Sequence, residues 1–188
     1  MEANIVLLLP GWQNSGPDHW QSRWEKLHGY QRVEQHDWMR PLRGDWMAQL
    51  EEAVLAAPMP VVLAAHSLGC MLTAAWAAHS LNTHKVIGAL LVAPGDPDTE
   101  IGQSNFPSFA PVVMKRLPFV SVVVASRDDP YTQFARAQQF AEAWNSEFID
   151  IGARGHINAD SGLGDWPQGH DLLCGLALGG NPLKTVGV

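Results

Sequence analysis

Ser67 follows an unbroken apolar run, Val61-Val62-Leu63-Ala64-Ala65, and precedes an Ala-rich stretch that opens with Leu68-Gly69. A serine where a buried strand runs into a helix is the pattern of a nucleophile elbow, a sharp turn that lifts the hydroxyl above a sheet edge. The turn needs small residues two places before and after, because strand and helix backbones nearly touch there. The common pattern is Gly-x-Ser-x-Gly; here Ala65 and Gly69 hold the flanking places, one methyl group away from it. A serine hydroxyl attacks a carbonyl only when a base takes its proton, and on this kind of scaffold the chain order is nucleophile, acid, histidine. Both later members stand in the right setting. The apolar run 119–125 ends in Ser126-Arg127-Asp128-Asp129-Pro130, and the run 148–151 ends in Gly152-Ala153-Arg154-Gly155-His156. Chemistry on a parallel sheet sits at the carboxyl ends of strands, so His156 is the expected base. His19, His36 and His66 are poorer choices, with surface or structural roles as their default; the His66 side chain is expected to point away from Ser67. Asp128 and Asp129 compete to orient the histidine. Asp129, the last residue before the proline turn, is preferred, and Asp128 is then a turn former within its own loop.

Acyl transfer also needs two backbone N–H donors for the oxyanion. The amide of Leu68, at a helix N-terminus, is one. The second is expected from Pro10-Gly11-Trp12, where Gly11 lets the backbone turn close to a substrate and the Trp12 amide donates. Trp12 and Trp20 flank this loop as candidates for an apolar acyl pocket, joined by Phe106 and Phe109 from farther along. Trp24, Trp46, Trp76 and Trp144 fall on helical stretches and are expected to pack in the core. The polar, glycine-rich segment 155–164 is expected to shape the pocket rim. A metal reading of His156 with Asp160 or Asp165 lacks a second histidine at ligand spacing, so neither metal nor cofactor is expected.

These residues must be carried by a particular scaffold. Strand-like runs at Ile5–Leu9, 61–65, Val86–Val92, 119–125 and 148–151 are nearly continuous in Val, Ile, Leu and Ala, as in strands buried on both faces of a parallel sheet. A more polar stretch, 30–35, suits an edge strand. Helical periodicity covers 18–27 (with Ser15-Gly16-Pro17 as its cap and first-turn proline), 45–57, 68–78, 132–144 with Thr132 as cap, and 166–178 with Pro167 in its first turn. Strand alternating with helix implies an α/β fold, a mostly parallel sheet with right-handed crossovers and helices on both faces. Segment 94–118 breaks the rhythm, with Pro97, Gly102, Pro107 and Pro111 and no periodicity, and is expected to fold over a pocket.

With 188 residues, the chain suits one domain, 1–178, followed by a Gly/Pro-rich tail, 179–188, expected to fray. The 19 acidic against 12 basic residues give −7, which argues against nucleic acid or anionic membrane as partner. Met1-Glu2-Ala3-Asn4 lacks the basic region of a signal peptide, and the apolar run after it is too short for export or a span, so a cytoplasmic location is expected. Cys70 and Cys174 match no metal or redox spacing and, set in apolar stretches, are expected to be buried thiols.

Taken together, Leu9-Pro10-Gly11-Trp12, Gly16-Pro17-Asp18-His19-Trp20-Gln21, Ala65-His66-Ser67-Leu68-Gly69, Ser126-Arg127-Asp128-Asp129-Pro130-Tyr131, Gly155-His156-Ile157-Asn158 and Ser161-Gly162-Leu163-Gly164-Asp165-Trp166 resemble the YdeN-like serine hydrolases, the family that includes retinoblastoma-binding protein 9. The resemblance spans nearly the whole chain. It implies a minimal α/β-hydrolase without a large cap, with Ser67, Asp129 and His156 as its triad, and it favours Asp129 over Asp128. The expected reaction is esterase-type hydrolysis of a small or medium acyl substrate. Amide or thioester cleavage by the same groups, and a protein-binding module on a hydrolase shell, are the alternatives; no protein partner is indicated by the sequence itself.

Overall fold

The computed structural model describes residues 4–179; the expected frayed tail lies, beyond Gly179, outside them. Six strands, β1 (Ile5–Leu9), β2 (Gln31–Arg32), β3 (Val61–His66), β4 (Val86–Val92), β5 (Val120–Ala125) and β6 (Glu147–Asp150), form one sheet in the order β2-β1-β3-β4-β5-β6. Every pairing is parallel. The helices are α1 (Trp20–His28), α2 (Arg43–Ala56), α3 (Leu68–Ala77), α4 (Glu100–Asn105), α5 (Phe134–Trp144) and α6 (Pro167–Ala177).

The continuous apolar strands bury both faces because side chains alternate across the pleat. Leu7, Leu9, Leu63, Ala65, Leu91 and Val123 face one core with Trp46, Leu50, Trp76, Phe140 and Trp144 from α2, α3 and α5. Their neighbours Leu8, Val62, Ala64, Leu90 and Val124 face the other, with Trp20 and Trp24 of α1 and Leu173 and Leu176 of α6. Helices therefore cover both faces, as the alternation of elements implied. Among the described residues no helix is long and apolar enough to cross a membrane.

The chain runs from β1 outward to the edge strand β2, then returns to the other side of β1 to lay down β3. Loops leaving β1 and β3 therefore diverge, and such a reversal opens a crevice at the carboxyl ends. Leu9 pairs with Ala65 at the last rung, so the loop with Trp12 and the turn with Ser67 leave the sheet side by side.

Local details depart from the sequence reading for identifiable reasons. Helix α1 starts at Trp20, not at 18: the ring of His19 is its N-cap, Nδ1 accepting from the Gln21 amide, while the Ser15 hydroxyl is committed to Gln21 Oε1. Helix α5 starts at Phe134, because the Thr132 hydroxyl donates to the Pro94 carbonyl across the sheet edge. The edge strand keeps only two residues of 30–35. Segment 94–118 holds a helix, α4, and a short 3₁₀ turn over Pro107–Phe109. Cys70 is buried as expected, but Cys174 is exposed, since it lies off the stripe formed by Leu172, Leu173 and Leu176 on α6.

Candidate active site

Ser67 sits between β3 and α3 with φ 53° and ψ −117°, a conformation costly for a residue with a side chain and kept only where the surroundings impose it. The imposing contacts are visible. A Cβ on Gly69 would run into the Leu9 carbonyl, and one on Gly11 would stand 2.8 Å from Ser67 Cβ and 3.2 Å from the Leu68 nitrogen. Ala65, in the place where glycine is commoner, is fully buried, and its methyl belongs to the core beneath α3. Small residues at 11 and 69 thus let the β1 loop, the turn and α3 converge on one hydroxyl.

The loop after β5 and the loop after β6 bring the other two groups. His156 Nε2 lies 2.9 Å from Ser67 Oγ, and His156 Nδ1 lies 2.9 and 3.0 Å from the two Asp129 carboxylate oxygens. The His156 and Asp129 side chains are 9% and 4% exposed, so the pair is largely shielded from water. Asp129 Oδ1 also accepts from the Tyr131 amide, which fixes the carboxylate within its turn. Because a carboxylate only accepts, Nδ1 must carry a proton and Nε2 is the nitrogen free to take one from the serine.

Asp128 points elsewhere. Its Oδ1 accepts from Ser126 Oγ at 2.7 Å and from the Gly155 amide at 2.8 Å, and these bonds, the Ser126 one foremost, hold its carboxyl below the usual range. The residue joins the β5 loop to the histidine loop and does not touch the imidazole.

Leu68 N–H and Trp12 N–H take part in no hydrogen bond among the described residues; Leu68 follows the serine directly, and Trp12 lines the same cleft as Ser67. The Trp12 loop is held in place from outside: the Trp12 indole donates to the Met39 carbonyl, the Gln13 amide to the Trp38 carbonyl, and Arg32 of β2 reaches the Asn14 side chain and the Ser15 carbonyl. Arg32 was not singled out by the sequence, where nothing distinguishes it from a surface arginine of an edge strand.

Above these groups opens a cleft of about 280 Å³ with Trp12, Ile101, Phe106, Tyr131 and Asn158 among its walls. Two expected pocket residues are not there. Trp20 is 1% exposed and packs edge-on against Trp24 and Trp166 in the core below α1. Phe109 lies under the loop, its ring 5.6 Å from Trp46. The aromatic type was legible in the sequence, but the face it turns to depends on a tertiary packing that no local pattern encodes. Phe106 does reach the cleft, its ring 5.9 Å from that of Trp12.

The cleft also holds residues that the sequence reading did not assign to it. Gly95, just past the end of β4, lines the cleft, and a Cβ there would stand 3.1 Å from Ser67 Oγ. A glycine three residues past the end of a buried strand was an available signal. His19 and His66 also border the cleft, their rings 4.6 Å apart and edge to face. Burial is the largest influence on both: it lowers His19 from an ordinary 6.5 to about 3 and His66 well below its ordinary value. His66 Nε2 bonds the His156 carbonyl, not the serine. His36 is exposed and bonds Gln49, away from the site. Among the described residues no three His, Cys, Asp or Glu side chains converge as metal ligands do.

A nucleophile, a base with a buried acid behind it, and two unengaged amides at one end of a cleft can together carry acyl transfer. Comparison with known proteins agrees with that chemistry. A family model described as serine hydrolase matches residues 6–174. A putative YdeN-like hydrolase of Pectobacterium atrosepticum is 31% identical, with TM-score 0.81 over 94% of this chain and 90% of its own. The ydeN gene product of B. subtilis, at 20% identity, superposes with TM-score 0.74 over 93% and 98% of the two chains. Est1E of Butyrivibrio proteoclasticus, solved with bound ferulic acid, shares the fold at 11% identity, TM-score 0.65, over 83% and 82%. No curated protein sequence matches the chain.

Proposed function

The chain belongs to the serine hydrolase family, among the YdeN-like α/β-hydrolases, and from that premise we propose that it hydrolyses small or medium carboxylic esters through an acyl-enzyme on Ser67. The observation that carries the proposal is the continuous series from the Asp129 carboxylate through His156 to the Ser67 hydroxyl, each step 2.9 to 3.0 Å, at the floor of the cleft.

Ser67 Oγ attacks the ester carbonyl carbon as His156 Nε2 takes its proton. The oxyanion that forms is held by the amides of Leu68 and Trp12. Asp129 keeps the imidazole in the tautomer with Nδ1–H and stabilises the imidazolium. The tetrahedral intermediate collapses, the C–O bond to the alcohol breaks, and His156 returns the proton to the leaving oxygen. Water, deprotonated by the same nitrogen, then attacks the acyl-enzyme and releases the acid, with Ser67 restored. No cofactor takes part in these steps.

A fluorophosphonate probe tests the nucleophile directly. Labelling is expected at Ser67, and Ser67→Ala should lose both the label and the turnover of p-nitrophenyl acetate. Labelling at another serine in that variant would refute the assignment. The same protein, offered matched oxygen esters, thioesters and anilides, is expected to favour the oxygen ester in kcat/KM.

A further inference from the structure

Two consecutive main-chain carbonyls in the segment that presents His156 are each taken by a buried ring N–H. His66 Nε2 bonds the His156 carbonyl at 2.9 Å, and Trp20 Nε1 bonds the Ile157 carbonyl at 2.9 Å. A carbonyl only accepts, so His66 Nε2 carries the proton. Ile157 itself is fully buried with φ 50°. A β-branched residue in the left-handed region is a true outlier, kept only where its surroundings over-determine it.

The donors come from the elements that the nucleophile depends on. His66 is the last residue of β3, immediately before Ser67, and Trp20 opens α1 beneath it, the two rings 6.2 Å apart. His19 stands edge-on to His66 and also packs against Trp20. Anchor and nucleophile therefore share one strand end, while the base arrives from β6, three strands away in the sheet. Building on the proposed role of His156, we propose that Trp20 and His66 are positioning residues that clamp the His156–Ile157 backbone, holding the imidazole on the Ser67 hydroxyl. Buried polar groups find partners in any core. Here, though, both partners fall on the two carbonyls next to the base, around a residue whose backbone would otherwise relax. Released from the clamp, Ile157 leaves the left-handed region and the ring swings from its 2.9 Å contact with Ser67 Oγ. Such a change lowers the chemical step and leaves the cleft walls where they are.

Trp20→Phe removes one donor and keeps a ring in place. His66→Met and His66→Gln have side chains of the same length and differ in whether the end can donate. With p-nitrophenyl acetate, Trp20→Phe and His66→Met are expected to lose tenfold or more in kcat with KM within twofold, and His66→Gln to recover most of the loss. The rate of fluorophosphonate labelling at Ser67 should fall in parallel. The clamp is overturned if folded Trp20→Phe and His66→Met keep the wild-type kcat, if Gln and Met at 66 are equally impaired, or if KM alone changes. Should Trp20→Phe fail to fold, as judged by circular dichroism, the two His66 variants decide the matter between them. Loss of ester turnover in Ser67→Ala separates this test from the reading it rests on: if turnover survives there, the nucleophile is wrong and the clamp is not what failed.

Discussion

Acidification should unfold this protein earlier than its acidic surface alone would, and His19 accounts for a measurable part. Buried behind the cleft, it stays neutral down to about 3, whereas an unfolded histidine takes a proton near 6.5. Between those values the unfolded chain binds more protons than the folded one, so stability rises with pH there and is lost as pH falls from 6.5 towards 3. Going from pH 7 to pH 5, the unfolded state gains about 2 kcal/mol from this one group by the linkage relation. His66, displaced in the same direction, adds a loss of the same sign. The perturbation to test is His19→Asn. Asparagine is a strong N-cap, so it can accept from the Gln21 amide in place of the imidazole while removing the titration. Urea unfolding at both pH values, with the two-state slope held common, gives the gap for each protein. The gap between pH 7 and pH 5 should shrink in His19→Asn by about 2 kcal/mol, whatever the variant loses at pH 7 from the smaller side chain. An undiminished gap would show that His19 is protonated in the folded state, and the reasoning from burial would fail.

The remaining expectations concern activity. Asp129→Asn should lower kcat by about 10⁴, the size of the effect in the best-studied triad, whereas Asp128→Asn, which keeps an oxygen for the Ser126 hydroxyl and the Gly155 amide, should stay within about tenfold of wild type; steady-state kinetics with p-nitrophenyl acetate settles the order, and a reversed order would make Asp128 the acid. Gly95→Ala places a methyl 3.1 Å from Ser67 Oγ, and is expected to reduce kcat/KM at least tenfold with an unchanged urea midpoint; equal activity would mean that substrate does not approach along that wall. Phe106→Ala removes the ring between the cleft and the apolar core, so longer acyl chains should gain about fourfold in kcat/KM for each methylene newly buried, from ~0.8 kcal/mol per CH₂; a p-nitrophenyl ester series from acetate to octanoate measures this, and an unchanged chain-length profile would place the acyl group elsewhere.

The strands were legible because a parallel sheet covered on both faces demands apolar residues at nearly every position, and Val61-Val62-Leu63-Ala64-Ala65 is such a run, too short for a core helix of ordinary length. The meeting of Ser67, Asp129 and His156 was legible because each follows such a run, and a parallel sheet brings its strand ends to one edge. The choice of Asp129 over Asp128 turned on one residue, and the structure shows the difference as two separate sets of partners. What stayed hidden depended on contacts distant in sequence. Ser15-Gly16-Pro17 reads as a helix start, yet the Ser15 hydroxyl is taken by Gln21 and the cap falls to His19. Trp20 and Phe109 are aromatic residues near the right loops, but they turn inward. Arg32, on a two-residue edge strand, holds the Trp12 loop across 17 and 18 residues of chain.

Leu9 and Ala65 are paired across the interior of the sheet, and the two proposed oxyanion donors, Trp12 and Leu68, each lie three residues beyond that rung. The two segments that carry these amides thus leave the sheet at the ladder spacing of about 4.8 Å between neighbouring strands, and Met39, Trp38 and Arg32 brace the one that bears Trp12. Separating β1 from β3 means opening the centre of the molecule, an event that belongs to global unfolding, unlike the fraying of peripheral segments. In the proposed mechanism the oxyanion's place is therefore rooted in the pairing at the centre of the sheet, not in a segment that must first become ordered. The segments after β4 and β6, which supply Ile101, Phe106 and Asn158 to the cleft walls, take no part in that pairing, so their residues can be exchanged without disturbing it.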